Sequence, residues 1–187
     1  MGRVVIAAFE AEFRRYRDLA DRAAAQLGWD DLREPLHPEV NSIAVVMKHV
    51  AGNLRSRWSD PFTTDGEKPW RNRDREFVDD LPDRDALDEQ WRGGWGTVEA
   101  VLAACSDLDL DRTLMIRGEA HTLALALARS LSHTAYHCGQ IVQTARALAG
   151  RKNAPWRTLT VPRGGSVEFN ASKGFDPGAP SSGGRAV

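Results

Sequence analysis

Two histidines separated by four positions are the residues of this sequence whose types and spacing best suit metal chemistry. His133 and His137 lie in a strongly periodic apolar segment, so a helix would place their Cβ atoms about 5–6 Å apart on one face. Two imidazoles at that spacing can reach one ion at about 2.0–2.1 Å. Residues 134–136 supply no glutamate base, so this is not an HExxH motif. Alone, the pair is a weak signal, because core or solvated histidines need no further partner.

His49 strengthens the argument for a metal site. It lies on the flank of a second apolar helix pattern, beside Val46 and Val50, much as His137 lies on the flank of its own pattern. Because the flanks of adjacent helices face each other in a bundle, three imidazoles could converge and leave coordination positions open. We therefore predict that His49, His133 and His137 bind one divalent ion, and we expect zinc or nickel.

The remaining histidines and the two cysteines carry less weight. His37 is predicted to lie in a surface loop. His121 is predicted to begin the helix that carries His133, about three turns away, which is too far to share its ion. Cys105 and Cys138 lie inside apolar helical patterns and not in CxxC spacing, so buried, reduced thiols are the preferred interpretation over a catalytic role.

Four amphipathic helices are needed to position these residues. Apolar side chains recur every three or four residues in four segments, which keeps one face of each helix apolar. The predicted helices cover 3–27, 42–59, a third segment with its pattern at 87–105, and 120–149. Asn41 or Ser42 can cap the second helix. Gly93, Gly94 and Gly96 lower the helix propensity of the third and indicate close approach to a neighbour.

A long segment separates the second and third helices. Residues 60–83 are many more than usually join antiparallel neighbours in a bundle, so they predict a crossover along its length. The segment holds Trp70, Phe77 and several arginines. Two interpretations remain open, a functional lid over the site or a basic surface loop anchored by the two aromatic side chains.

Short extended segments flank the fourth helix. Residues 112–116 with a turn at 117–119 indicate a strand, and residues 156–161 could pair with it as a small two-stranded ribbon. We assign residues 1–170 to one all-α four-helix bundle, since 187 residues suffice for a single core. The Gly-, Ser- and Pro-rich residues 171–187 predict a flexible tail.

Composition and charge disfavour several classes of function. The 25 basic and 26 acidic residues are interspersed and the formal net charge is -1, so no field of one sign indicates nucleic acid or a membrane surface as a partner. No apolar run approaches the roughly 20 residues of a membrane span, and the N-terminal segment is too polar for a signal peptide. We expect a cytoplasmic protein that acts on a small-molecule substrate.

Four runs of the sequence resemble a known superfamily. They are NSIA (41–44), KHVAGNLRSRW (48–58), GEKPWRNRDREF (66–77) and SHTAYHCGQI (132–141). With the rest of the chain as far as 162–164, they look like an uncharacterised branch of the DinB-like (YfiT-like) superfamily. The resemblance implies an up-down-down-up four-helix bundle, often a homodimer, with a three-histidine metal site whose matching positions here are His49, His133 and His137.

The resemblance also implies a range of activities. Members of this superfamily transfer low-molecular-weight thiols to electrophiles or act as a thiol-dependent isomerase, and others are described as metal-dependent hydrolases. A low-molecular-weight thiol is therefore an expected second cofactor. The resemblance assigns no reaction to this branch.

Two functions are compatible with these observations. In an enzyme, an ion on three neutral imidazoles would lower the pKa of a bound water or thiol. Guanidinium groups would bind an anionic substrate or thiol, and the candidates are Arg71, Arg73, Arg75 and Arg117. Glu76 or Glu119 could accept a proton, and the sequence does not choose between them. The alternative is a non-catalytic metal-binding or stress-response dimer, whose structural metal site would be closed by four protein ligands.

Overall fold

The computed structural model describes residues 2–176 and 178. The chain divides between Trp156 and Arg157 into two compact units, and each is described by itself. The predicted flexible tail, 171–187, lies largely outside the described residues. No helix in the described part of the chain is both long enough and apolar enough to span a membrane.

Four long helices form the first unit, as the periodicity predicts. They are α1 (Val4–Ala24), α3 (Ile43–Trp58), α4 (Arg84–Ala104) and α5 (Leu123–Arg151), with a short helix α2 (Trp29–Arg33) between the first two. Ser42 caps α3 by accepting a hydrogen bond from the amide of Val45. The helix α2, which the periodicity did not predict, buries Leu32 and ends before Pro35, whose ring disfavours helical geometry in the preceding residue.

Contacts between α3 and α4 show that these helices run parallel. Gly94 on α4 lies against α3 so closely that a Cβ there would be 2.7 Å from the Cα of Ala51. One turn further along both helices, the hydroxyl of Thr97 donates to the carbonyl of Leu54 at 3.1 Å. The close approach predicted from the glycines is therefore found at Gly94, whereas a Cβ at Gly93 or Gly96 would meet no atom within 4 Å.

The helix α1 runs antiparallel to α4. Arg3, at the start of α1, donates to the carbonyl of Leu102 near the end of α4. The indole of Trp91, near the start of α4, donates to Asp21 near the end of α1. The side chains that fill the space between the helices include Ile6, Phe13, Trp58, Trp95, Leu102 and Leu127, all at most 1 % exposed.

The helix α5 runs antiparallel to α3. His49 contacts His133, while Trp58, further along α3, donates to Ser130, which precedes His133 on α5. With α3 parallel to α4 and α1 antiparallel to α4, the order is up-down-down-up, as expected. The crossover that this order requires includes a short 3₁₀ turn, Asp74–Phe77, and ends at Asp83, which caps α4 by accepting from Ala86.

A two-stranded antiparallel ribbon precedes α5. Its strands are β1 (Thr113–Ile116) and β2 (Glu119–Thr122), so the predicted pairing of 112–116 with 156–161 is wrong. The reason is local, since Arg117 and Gly118 both have positive φ angles, 54° and 75°, and such a turn joins adjacent strands directly. The fourth helix was predicted to begin at residue 120, but residues 120–122 belong to β2, and His121 therefore lies in that strand. The second unit contains α6 (Ser166–Ser172).

Candidate metal centre

The three predicted histidines lie around one point between α3 and α5. Nε2 of His133 is 3.3 Å from Nε2 of His49 and 3.2 Å from Nε2 of His137. The ligand atoms of all three lie within 4.8 Å of one another. His49 is 4 % exposed, and the other two are half-buried. The prediction that these histidines form one cluster is therefore confirmed.

Hydrogen bonds at Nδ1 determine the tautomers of two of the rings. Nδ1 of His49 is 2.8 Å from Oε2 of Glu76, which as a carboxylate can only accept, so the imidazole donates. Nδ1 of His137 is 2.7 Å from Oε1 of Gln140, whose amide nitrogen in turn donates to the hydroxyl of Tyr136. A neutral imidazole that donates from Nδ1 presents a lone pair at Nε2. The lone pairs of His49 and His137 are therefore available for a shared ligand.

The spacing of the Nε2 atoms fits a metal ion. Two nitrogens bound tetrahedrally at about 2.0–2.1 Å would be about 3.4 Å apart, close to the observed 3.2 and 3.3 Å. If no cation were bound, a proton on Nε2 of His133 could be donated to Nε2 of His49 or to Nε2 of His137, but not to both. One of the two close nitrogen pairs would then have no hydrogen bond. Nδ1 of His133 is buried and has no hydrogen-bond partner within the described residues. A divalent ion would satisfy three converging lone pairs at once.

The surroundings of His133 and His137 keep these two rings neutral. The pKa of His133 is lowered to about 4, first by burial and then by the neighbouring imidazoles of His137 and His49. Burial also lowers the pKa of His137, although its hydrogen bond to Gln140 acts in the opposite direction. Because metals bind the neutral imidazole, these two rings are in the ligand form near neutral pH.

A network of charged side chains supports His49 on its Nδ1 side, away from the other two histidines. Arg71 forms two hydrogen bonds to Glu76, 2.8 Å from Nε to Oε1 and 2.9 Å from Nη2 to Oε2. Glu67 then accepts from Arg71 and from Arg117, each at 3.2 Å. Burial alone would raise the pKa of Glu76, but the hydrogen bonds from His49 and Arg71 outweigh it and the pKa is lowered. The ionised Glu76 therefore orients His49, as supporting carboxylates do at many metal sites.

The crossover reaches the site, as the lid interpretation requires. Phe77 stacks on His49, with ring centroids 4.6 Å apart. The ammonium of Lys48 fastens the same segment by donating to the carbonyls of Arg75 and Val78. Trp70 anchors the segment less firmly than predicted, because 55 % of it is exposed.

The four predicted substrate-binding arginines occupy different environments. Arg71 is 2 % exposed in its side chain and belongs to the support of His49, while Arg117 joins that network at the surface. Arg73 lies over the ring of Phe77, and Arg75 pairs with Asp80. Binding of a substrate by these residues stays a prediction.

The other candidate groups are also located. Glu76 is already engaged by His49 and Arg71, and Glu119 is exposed in β2. Nδ1 of His121 contacts the carbonyl of Glu119. Cys105 and Cys138 are free and buried, and burial raises the pKa of both thiols, that of Cys138 to about 12. Neither thiol is poised to act as a nucleophile.

Sequence reasoning missed a cavity beside His133. Its lining includes Asn53, Arg57, Arg129 and Ser130. A signal for two of these residues was present, because Asn53 lies four residues after His49 and Arg129 four residues before His133, which places each pair on one helix face. Gln140, three residues after His137, could have been found in the same way.

Comparisons with known proteins place the chain in a family. A solved structure titled "Crystal structure of the conserved protein of locus from Enterococcus faecalis" is similar, with a TM-score of 0.60 and 16% identity. The match covers 80% of this chain and 99% of that chain, and at this identity it supports the fold alone. No curated protein matches the sequence. A family model described as "Protein of unknown function (DUF1572)" matches residues 1–165, and the chain therefore belongs to this family.

Proposed function

We propose that this protein is a metal-dependent enzyme of the DinB-like superfamily that transfers a low-molecular-weight thiol to a small electrophile. The observation that carries the proposal is the convergence of three Nε2 atoms with no fourth protein ligand among residues 2–176 and 178. Structural zinc sites have four protein ligands, whereas catalytic sites have three and keep a position for a reactant. The family match and the sequence runs around the three histidines are further support.

The surroundings of the site favour a thiol over water as the nucleophile. A divalent ion on these imidazoles would lower the pKa of a bound thiol or water. A free thiol has a pKa of about 8.5 and needs little help to ionise, whereas water starts from about 15.7. Hydrolysis would also benefit from a free carboxylate as a base, and Glu76 is already engaged by His49 and Arg71. The protein's own thiols are buried, so the nucleophile must come from solution.

Each residue of the site has a separate role in this proposal. His49, His133 and His137 hold the ion, while Glu76 and Gln140 orient two of the rings through Nδ1. Phe77 covers one face of His49 and excludes water from it. The ion is expected to be zinc or nickel, and a cytoplasmic homodimer stays a prediction.

Metal analysis followed by a transfer assay tests the proposal. The purified protein is analysed for metal, stripped with a chelator, reloaded with zinc or nickel, and mixed with cysteine or coenzyme A and chlorodinitrobenzene. In the reaction a C–S bond forms, the C–Cl bond breaks, chloride leaves and the thiol proton passes to water. We expect transfer only in the reloaded protein.

Two other results would contradict this proposal. Hydrolysis of p-nitrophenyl acetate without thiol transfer would assign the site to a hydrolase. Stoichiometric metal with neither activity would favour the alternative, a non-catalytic metal-binding or stress-response dimer.

A further inference from the structure

A cavity of about 130 Å³ lies beside His133. It is formed between α3 and α5 and is closed at one side by Ile116 of the ribbon. A water molecule in the liquid occupies about 30 Å³, so the space suits a group of several heavy atoms. Because His133 belongs to both the cavity and the metal centre, a molecule in the cavity would lie next to the three imidazoles.

Arg57 brings to this cavity a positive charge that has no direct ion-pair partner among the described residues. Its side chain is largely buried, and its Nη1 atom is fully buried without a hydrogen-bond partner within the described residues. It forms no ion pair with a carboxylate in that part of the chain. A guanidinium stays charged in proteins, so it cannot escape burial by losing its proton. A buried cation of this kind is costly unless an anion accompanies it.

The acidic groups near Arg57 are already engaged elsewhere. Asp65 accepts hydrogen bonds from the backbone amides of Glu67, Arg117 and Gly118. The Glu67 carboxylate accepts from the side chains of Arg71 and Arg117. Neither carboxylate forms a hydrogen bond or an ion pair with Arg57.

The other polar groups of the cavity can also donate. The hydroxyl oxygen of Ser130 accepts from the indole of Trp58 at 3.0 Å, so its own hydrogen is available. Asn53 makes no side-chain hydrogen bond to another described residue. Arg129 lies exposed and contacts His121 without an acidic partner in the described part of the chain. Together these side chains surround the space with donors for a small oxyanion.

We propose that this cavity binds a carboxylate group of the substrate, with Arg57 as its principal ligand and Arg129, Asn53 and Ser130 as further donors. The proposal rests on the proposed function, because it places the rest of the substrate beside the three histidines. It defines the electrophile as a small organic acid. A single carboxylate balances the charge of the largely buried Arg57, while solvent screens the exposed Arg129.

Binding of malonate, compared with its neutral analogue malonamide, tests the assignment. Titration calorimetry on metal-free protein removes any chelation of an ion by the probe. We expect wild-type protein to bind malonate and not malonamide, and Arg57→Gln to weaken malonate binding roughly ten- to a hundred-fold. Arg55→Gln, on the same helix but exposed over Trp70, should bind like wild type.

A second variant covers the case in which Arg57→Gln does not fold. Arg129→Gln is at an exposed position and should weaken malonate binding several-fold, whereas the exposed Arg146→Gln on the same helix should not. Absence of malonate binding to the wild type, or equal affinity in all variants, would overturn the assignment. Tighter Arg57-dependent binding of inorganic phosphate would overturn the choice of a carboxylate.

Metal content and thiol transfer, measured on each protein before its metal is stripped for calorimetry, separate this inference from the proposed function. Arg57-dependent malonate binding in a protein that never retains metal would refute the metal-dependent enzyme and leave the anion site standing. Full metal content and thiol transfer, with malonate binding indifferent to Arg57 and Arg129, would refute the anion site alone.

Discussion

Glu76 lies 2.8 Å from Nδ1 of His49, although 27 residues separate the two in the sequence. The contact joins the crossover to α3 and presents Nε2 of His49 to the imidazoles on α5. Arg71 holds the same carboxylate with two hydrogen bonds. The crossover is therefore part of the site's support, and the predictions below treat it as such.

Removal of one ligand should remove the metal without unfolding the bundle. We expect His137→Ala to lower metal affinity by more than about a hundred-fold. Loss of a residue that only supports a ligand lowers it by about 10- to 100-fold, and loss of the ligand itself should cost more. The apolar faces of the helices are unchanged, so helical circular dichroism should persist with a modest fall in Tm. Elemental analysis provides the measurement and His37→Ala, in an exposed loop, the control. Retained metal would show that His137 is not a ligand, and global unfolding would favour a structural metal.

Neutralisation of Glu76 should weaken the site through His49. Glu76→Gln is expected to lower metal affinity by about 10- to 100-fold, as at other sites whose supporting carboxylate is changed. It also deprives the buried Arg71 of a charged partner, which should lower the free energy of unfolding by about 1–3 kcal/mol. Competition with a metal-binding dye and urea unfolding measure the two effects. Glu119→Gln, in an exposed strand position, should change neither.

Gly52 offers a steric test of the same contact that leaves all charges in place. A Cβ at this position would lie 2.8 Å from Cδ of Glu76, so Gly52→Ala must displace the carboxylate from His49. We expect weaker metal binding with little loss of stability, because alanine raises helix propensity by about 1 kcal/mol. Gly139→Ala, where the new methyl group meets nothing within 4 Å, is the matched control on α5. Unchanged metal affinity in Gly52→Ala would argue against a supporting role for Glu76.

The contact between α3 and α4 should tolerate no side chain at Gly94. The Cβ of Gly94→Ala would lie 2.7 Å from Cα of Ala51, and backbone cannot move aside as a flexible side chain can. We expect a loss of about 1–3 kcal/mol in the free energy of unfolding. Gly93→Ala, one residue away with open space, should instead gain about 0.8–1.0 kcal/mol. Urea unfolding of the pair gives opposite signs if the packing is as described, and equal signs if it is not.

Both cysteines should be inert in the native protein. Burial raises the pKa of Cys138 to about 12 and also raises that of Cys105, so neither forms a thiolate near neutral pH. We expect no reaction with Ellman's reagent in the native state and reaction of both thiols after unfolding in guanidinium chloride. Rapid modification of either cysteine in native protein would reopen a role for it as a nucleophile.

The sequence by itself determined the four long helices and the pairing of His133 with His137. Both follow from local geometry, because a helix of 3.6 residues per turn brings positions four apart onto one face whatever surrounds it. The flank position of His49 and the sequence runs that resemble the DinB-like superfamily also sufficed to predict its convergence with the other two. The length of 60–83 predicted the crossover, and the resemblance to the superfamily implied the up-down-down-up order.

Tertiary structure alone decided the surroundings of the histidines. From the sequence, Glu76 could have been a free base. Its contacts with His49 and Arg71 show instead that it supports a ligand. The ribbon pairs β1 with β2 and not with 156–161, because the tight turn at residues 117–118 brings the next segment of the chain directly beside β1. The cavity at Arg57 exists only because α3 and α5 pack side by side. Such contacts depend on how separate elements meet, and no local periodicity encodes that.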